Sequence, residues 1–400
     1  MKVNLVNEPP GRRNASPSKA SDLLVSLLQW CWHGSIDLLR KLLAGAQESL
    51  GKLESKLTER KLALVGISIT RMLIGAIALG LLAANYSTRL YSFGPGSAWN
   101  GEINAPQSEL SKLPIIDAFR LASGDGALYT FLYMVVMVLA ALLLLGWRTR
   151  PVLIVFAILW VSFIEANDLL GDQGDNMYRI ILVLLIFTNC SSCFSLDSRR
   201  RGRRSEPEST NSRSLLSTLF HNLAIIVLAC QVFFVYVAGA LYKAGGAPWQ
   251  DGTAIYAPLA TERFGTWPWL SELVTSDSSV VAILTWASLL LQMSFPFMLL
   301  AAPTRRIALV GIWGFHIGIG VLMGLPWFSL TMIAVDFIFV RDASWRKVGT
   351  WLRSSPRRFE VHRSLRLQAD GVKPDSESGV RQQKRDESTL DGIGVVSARN

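Results

Sequence analysis

Lys243 closes the apolar run FFVYVAGALYK, and Gly239, Gly245 and Gly246 around it permit close backbone approach and a break in the helix before Trp249 returns an aromatic ring to the interface. A rise of about 1.5 Å per residue counted from Leu223 puts this lysine at the outer edge of a membrane's hydrocarbon. A lysine there can simply snorkel to water. A broken helix at membrane depth lines a cavity, however, and a lysine facing such a cavity is a usable general base. Arg71, His316 and Asp336 also fall within apolar stretches, with Arg179 near the end of another. Each costs about 2.5 to 3.5 kcal/mol on insertion scales, so each needs a partner, a wet cavity or a role. For any one alone, a structural bond between helices is the simpler reading; their grouping favours chemistry. In GDQGDNMYR, Asp175 and Arg179 are four apart and share a face once a helix starts there, and with Asp172 just upstream, capping is the simpler reading for one of these carboxylates. Cys190 and Cys193 form a C-x-x-C, open either as a thiol pair or as small-residue packing. Four histidines are too few for a multi-histidine metal centre, and no metal site, phosphate loop or dinucleotide fingerprint is expected.

The elements that must hold these groups follow from hydropathy. The 400 residues are 50% hydrophobic and 18% charged, a balance that leans towards lipid and sets aside nucleic acid as the reason for a net charge of +10. Eight apolar stretches lie near residues 62–85, 127–146, 151–164, 177–194, 223–241, 280–302, 307–324 and 326–340, the third and eighth being short. Of the 40 Lys and Arg, 33 fall on one side of these spans: in the first 61 residues, at Arg148/Arg150, at 199–213, at Arg305/Arg306 and from Arg341 onward. The alternate loops carry Asp168, Asp172, Asp175, Asp251, Glu262, Glu272 and Asp277. Short basic loops stay cytoplasmic, so the expected fold is all-α: a polytopic integral membrane protein, an eight-helix transmembrane bundle with both termini cytoplasmic. Residues 1–60 form a cytoplasmic segment, 61–341 the transmembrane domain and 342–400 a polar, disordered tail. Leu24, Leu27, Leu28, Cys31, Leu38, Leu39, Leu42 and Leu43 recur at near-helical intervals, as in an interfacial helix or a cytoplasmic packing helix.

The stretch AGALYKAGGAPWQDGTAIY resembles the signature of the HTTM superfamily, of which the vitamin K-dependent gamma-carboxylase is a member. The resemblance places that signature on Gly239, Lys243, Trp249 and Gly252, and extends to Arg71 with Gly75, to Gly174, Asp175 and Arg179, and to the run from His316 to Ser329. It implies that Lys243 is a base acting on a reduced lipid quinone, with His316, Asp175 and Arg179 as orienting or electrostatic groups and Arg71, Tyr242, Trp249 and Gly252 around a substrate cavity. Tyr242 ahead of Lys243, and a short polar tail in place of a large lumenal domain, put glutamate carboxylation in doubt. The chain is more similar to the shorter bacterial branch of sporulation-delaying protein B type. That likeness implies a plasma-membrane protein maturing a small secreted peptide, with membrane lipid and a partner subunit as further partners. An enzyme or maturation factor at Lys243 is the first reading. The alternative is a non-enzymatic immunity, assembly or export partner of a secreted peptide; a transporter comes third, since no inverted repeat is visible.

Overall fold

The computed structural model describes residues 57–92, 113–166, 171–203 and 212–351, with residues 51, 55, 94 and 96 singly. The expected interfacial helix, Asp168 and the tail beyond residue 351 lie outside the described residues. No strand occurs among those described. Helices stand at all eight expected places: α1 (Leu64–Ala84), α2 (Gly126–Leu145), α3 (Thr149–Glu165), α4 (Gln173–Phe187), α5 (Ser212–Ala244), α6 (Ser278–Met298), α7 (Ala302–Leu322) and α8 (Pro326–Asp336).

Five of these, α1, α2, α5, α6 and α7, are long and apolar enough to cross a membrane. At 17, 15 and 11 residues, α3, α4 and α8 fall short of the roughly 20 that a hydrocarbon core needs. The outward faces are as apolar as the inner ones. On α2, for example, Leu128, Phe131, Val138 and Leu145 are exposed, which in water would be a liability and in lipid is the matching surface.

Local chemistry sets the ends. The Asp125 side chain accepts from the N–H groups of Ala127 and Leu128 and starts α2, which stops at Gly146 with φ 67°. Asp172 and Asp175 form a reciprocal capping box at α4, so that helix begins before the apolar stretch and ends at Thr188. The C-x-x-C therefore lies past the helix, not within it. Asp197 performs the same service for α3 across the chain, accepting from Arg148 N–H at 2.9 Å, Thr149 N–H at 2.7 Å and the Thr149 hydroxyl at 2.8 Å. Burial pushes the Asp197 carboxyl up, but these bonds more than offset it and hold it below the usual carboxylate range.

Consecutive helices pack on one another, α1 on α2, α2 on α3, and so on to α7 on α8, with α8 returning against α1 and α4. Glycine brings the backbones together at the closure. A Cβ on Gly66 would lie 2.3 Å from the Phe337 carbonyl oxygen, so only glycine fits this crossing of α1 with the end of α8. Thr70 adds a hydroxyl bond to the Ala334 carbonyl at 2.7 Å. At its start, α1 has no cap of its own; Asp342, 278 residues away, accepts from Leu64 N–H at 3.3 Å, and it also takes the Val65 N–H at 3.1 Å. The bundle thus has a basic end, bearing Arg148, Arg150, Arg305 and Arg306, and an opposite end that carries Lys243 and the capping box.

Candidate functional site

α5 ends at Ala244, and Gly246 starts a short helix, Ala247–Gln250, so the expected break is present. The close approach expected at Gly239 is not. A Cβ there would meet nothing within 4 Å, and those on Gly245 and Gly246 would meet only ordinary neighbours. Lys243 turns inward, half-buried, and donates to Gln292 Oε1 on α6 at 2.9 Å. Its ammonium lies 5.1 Å from the Trp249 ring centroid and 5.6 Å from that of Phe315. Among the described residues no carboxylate pairs with it. Gly252, with φ 75°, seats the following turn against Ala282 and Trp286 of α6, which fixes where Trp249 stands. Tyr242 points the other way and is 89% exposed, because one residue on a helix is a turn of about 100°. The structure therefore brings Lys243 and Trp249 together, sets Gly252 against α6, and leaves Tyr242 out.

Two turns below Lys243 on the same face of α5 is Tyr236, buried. Its hydroxyl donates to Asp336 at 3.0 and 3.2 Å and lies 3.2 Å from His316 Nε2, so the three groups form one buried polar chain. His316 Nδ1 is buried and without a hydrogen-bond partner. An orphan of this kind costs about 1 to 3 kcal/mol, which a partner brought by a ligand or water would recover. The His316 ring packs edge-on against Phe328 at 5.8 Å.

Phe328 is also a wall of a cavity of about 270 Å³ that Asp172, Asp175, Tyr178, Trp160 and Trp327 line from α3, α4 and α8. Asp175 thus faces a cavity next to His316, though Lys243 does not line it. The expected pairing of Asp175 with Arg179 does not form. Arg179 instead makes a salt bridge to Glu165 of α3 and bonds Asn176 Oδ1, while Asp175 receives the Asp172 N–H at 3.0 Å. The cap satisfies Asp175 locally, and Glu165 is the nearer charge for a guanidinium reaching across to α3. In the first turn of α4, outside its apolar stretch, burial pushes the Asp175 carboxyl up to about 6.

Arg71 is not near Lys243 at all. It is fully buried towards the basic end and donates to the carbonyls of Leu143 at 2.5 Å, Leu144 at 3.1 Å, Phe194 at 2.8 Å and Cys190 at 3.2 Å. Two of those, Leu143 and Leu144, belong to the last turn of α2, where a cation is favoured. Gly75, one turn on, lets α2 approach: a Cβ there would sit 2.7 Å from Leu144 N. Arg71 with Gly75 is thus a seam between α1 and α2. Tyr236, Gln292 and Glu165 were missed from sequence; only Tyr236 had a signal, its seven-residue spacing from Lys243.

The HTTM domain matches residues 67–345, from early in α1 to just past α8. The chain is also 24% identical over 287 residues to Sporulation-delaying protein SdpB of Bacillus subtilis (strain 168), a match covering 71% of this chain and 83% of that protein. No solved structure matches. The domain match covers well over half of the chain and takes in every helix of the bundle in part or whole, so this membrane protein, related to SdpB, belongs to the HTTM domain family.

Proposed function

We propose that the chain is a peptide-maturation factor of the bacterial plasma membrane that acts as an enzyme through the Lys243 site. The observation that carries this is a half-buried cation held by one neutral amide and two rings, with no carboxylate paired to it among the described residues, near an unpartnered His316 Nδ1. A lysine so placed can give up and take back a proton; one locked in an ion pair cannot. The secreted peptide as substrate rests on the resemblance to the sporulation-delaying branch. In this reading all eight helices span, α3, α4 and α8 by local thinning or by burial within the bundle, and both termini are cytoplasmic because Lys and Arg collect at the basic end.

A reduced lipid quinone fits the donor set. Lys243 and Gln292 would hold a ring hydroxyl, with Trp249 and Phe315 beside them, and such a group would supply redox chemistry that no side chain here can. In that arrangement Gln292 would orient the Lys243 amine, the amine would take a hydroxyl proton, and the rings would exclude water.

The test is a substitution series read by output of mature peptide and by thermal melting in detergent. Lys243→Met is expected to leave melting unchanged and to lower output by about 100-fold or more. Lys243→Arg, which keeps the charge but cannot titrate, is expected to fail equally. Output restored by arginine would make the position a fixed charge and favour the immunity or assembly reading, which the mutual satisfaction of Tyr236 and Asp336 also suits.

A further inference from the structure

At the basic end, far from Lys243, a cavity of about 660 Å³ opens between the start of α3 and the segment after α4. Three guanidiniums line it: Arg148, Arg150 and Arg201. Among the described residues none of the three is in an ion pair. Their hydrogen bonds go to neutral groups, Arg150 to Asn189 Oδ1 at 3.4 Å and Arg201 to the Ser191 carbonyl at 2.6 Å. The one carboxylate in the lining, Asp197, is taken up by the three donors of Arg148 and Thr149. Each guanidinium has five N–H donors, so most are left for a guest.

The backbone is strained on both sides of this cavity. Arg148 has φ 43° and Phe194 φ 50°, two of the three non-glycine residues in the left-handed region among those described. Glycine would take either position without strain. Arg148 brings a guanidinium into the lining, 5.1 Å from the centroid of the neighbouring Trp147 ring, which is 36% exposed, and Phe194, which falls between the lining residues Ser192 and Asp197 in sequence, is 61% exposed. An anion-binding cavity bordered by exposed rings at the end of spanning helices suits a ligand that is charged at one end and apolar at the other.

We infer that this cavity binds phosphate, carried by the headgroup of an anionic phospholipid. The planar guanidinium fork matches phosphate oxygens in pairs, and Phe194 and Trp147 lie against the acyl region. The inference is independent of Lys243 and of any reaction there.

The experiment uses the full chain, delipidated in a mild detergent and melted with added phosphatidylglycerol, phosphatidylcholine or inorganic phosphate. Phosphatidylglycerol is expected to raise the melting temperature saturably and phosphatidylcholine to do so much more weakly. Arg150→Gln with Arg201→Gln should weaken the apparent affinity for phosphatidylglycerol about 25-fold, at roughly fivefold per arginine. Arg199→Gln, exposed and outside the lining, should leave it unchanged. An unaltered lipid-free melt shows that the double variant folds; if it does not fold, Arg150→Lys with Arg201→Lys keeps the charge, loses the fork and should weaken binding several-fold. A saturable response to inorganic phosphate that the double variant loses would support the phosphate site and identify a free anion as its source. Equal responses to the two lipids, no saturable response to any anion, or a folded double variant that binds as tightly as the parent would overturn the inference.

Discussion

Arg71 and Lys243 are both cations drawn into the bundle, and they are treated in opposite ways. Four carbonyls from two segments converge on Arg71, which is fully buried. Lys243 has one amide, and the groups below it include a nitrogen with no partner. A cation saturated by backbone is a fastener, because every bond it makes is one the fold would otherwise lack. A cation left with spare capacity is available to something that comes and goes. The same contrast holds for the capping carboxylates: Asp197 at the basic end has three donors, whereas Asp175 at the other end has one and faces a cavity.

The sharpest way to break this contrast is to exchange which residue is dispensable. Arg71→Met should cost about 3 to 5 kcal/mol, since it strands buried carbonyls, and the measurement is yield and melting in detergent beside Lys243→Met. A normal melt for Arg71→Met and a collapsed one for Lys243→Met would reverse the assignment. Next in size is Gly66→Ala, expected to cost about 1 to 3 kcal/mol because its Cβ would meet a backbone oxygen that cannot give way, whereas Gly239→Ala, facing open space, should melt at or above the parent. The smallest effect is the pH dependence. Asp175 is raised to about 6, so the folded state takes up its proton before the unfolded state does, and stability gains from this group as pH falls from 7 towards 4. Asp197 is lowered, so its contribution is full above about pH 4 and is lost below it. Asp175→Asn should remove the gain and Asp197→Asn the acid-side loss, seen in melts between pH 3 and 7.

Hydropathy made the bundle legible, because burial in lipid is written residue by residue along each span. It placed helices where α1 to α8 stand but not their ends: Asp172 and Thr188 move α4 away from its apolar stretch, and that depends on caps. The helix break after Lys243 could be read from its glycines, and His316 and Asp336 from their cost in an apolar run. What they bond to could not. Tyr236 lies 80 and 100 residues from its partners and Gln292 49 from Lys243, distances at which spacing carries no information. Arg71 differs for a related reason: sequence shows that a charge is inside, and only the neighbouring carbonyls show that it is spent.

The bond from Asp342 to the start of α1 has a consequence for how the protein is made. At about 5 to 20 residues per second, the 278 residues between them take roughly 15 to 55 seconds to synthesise. Throughout that time the start of α1 lacks this partner, and the last part of the domain to be synthesised supplies it. Completion of the domain is therefore registered at its beginning. A chain cut short before Asp342 would carry a first helix without its cap.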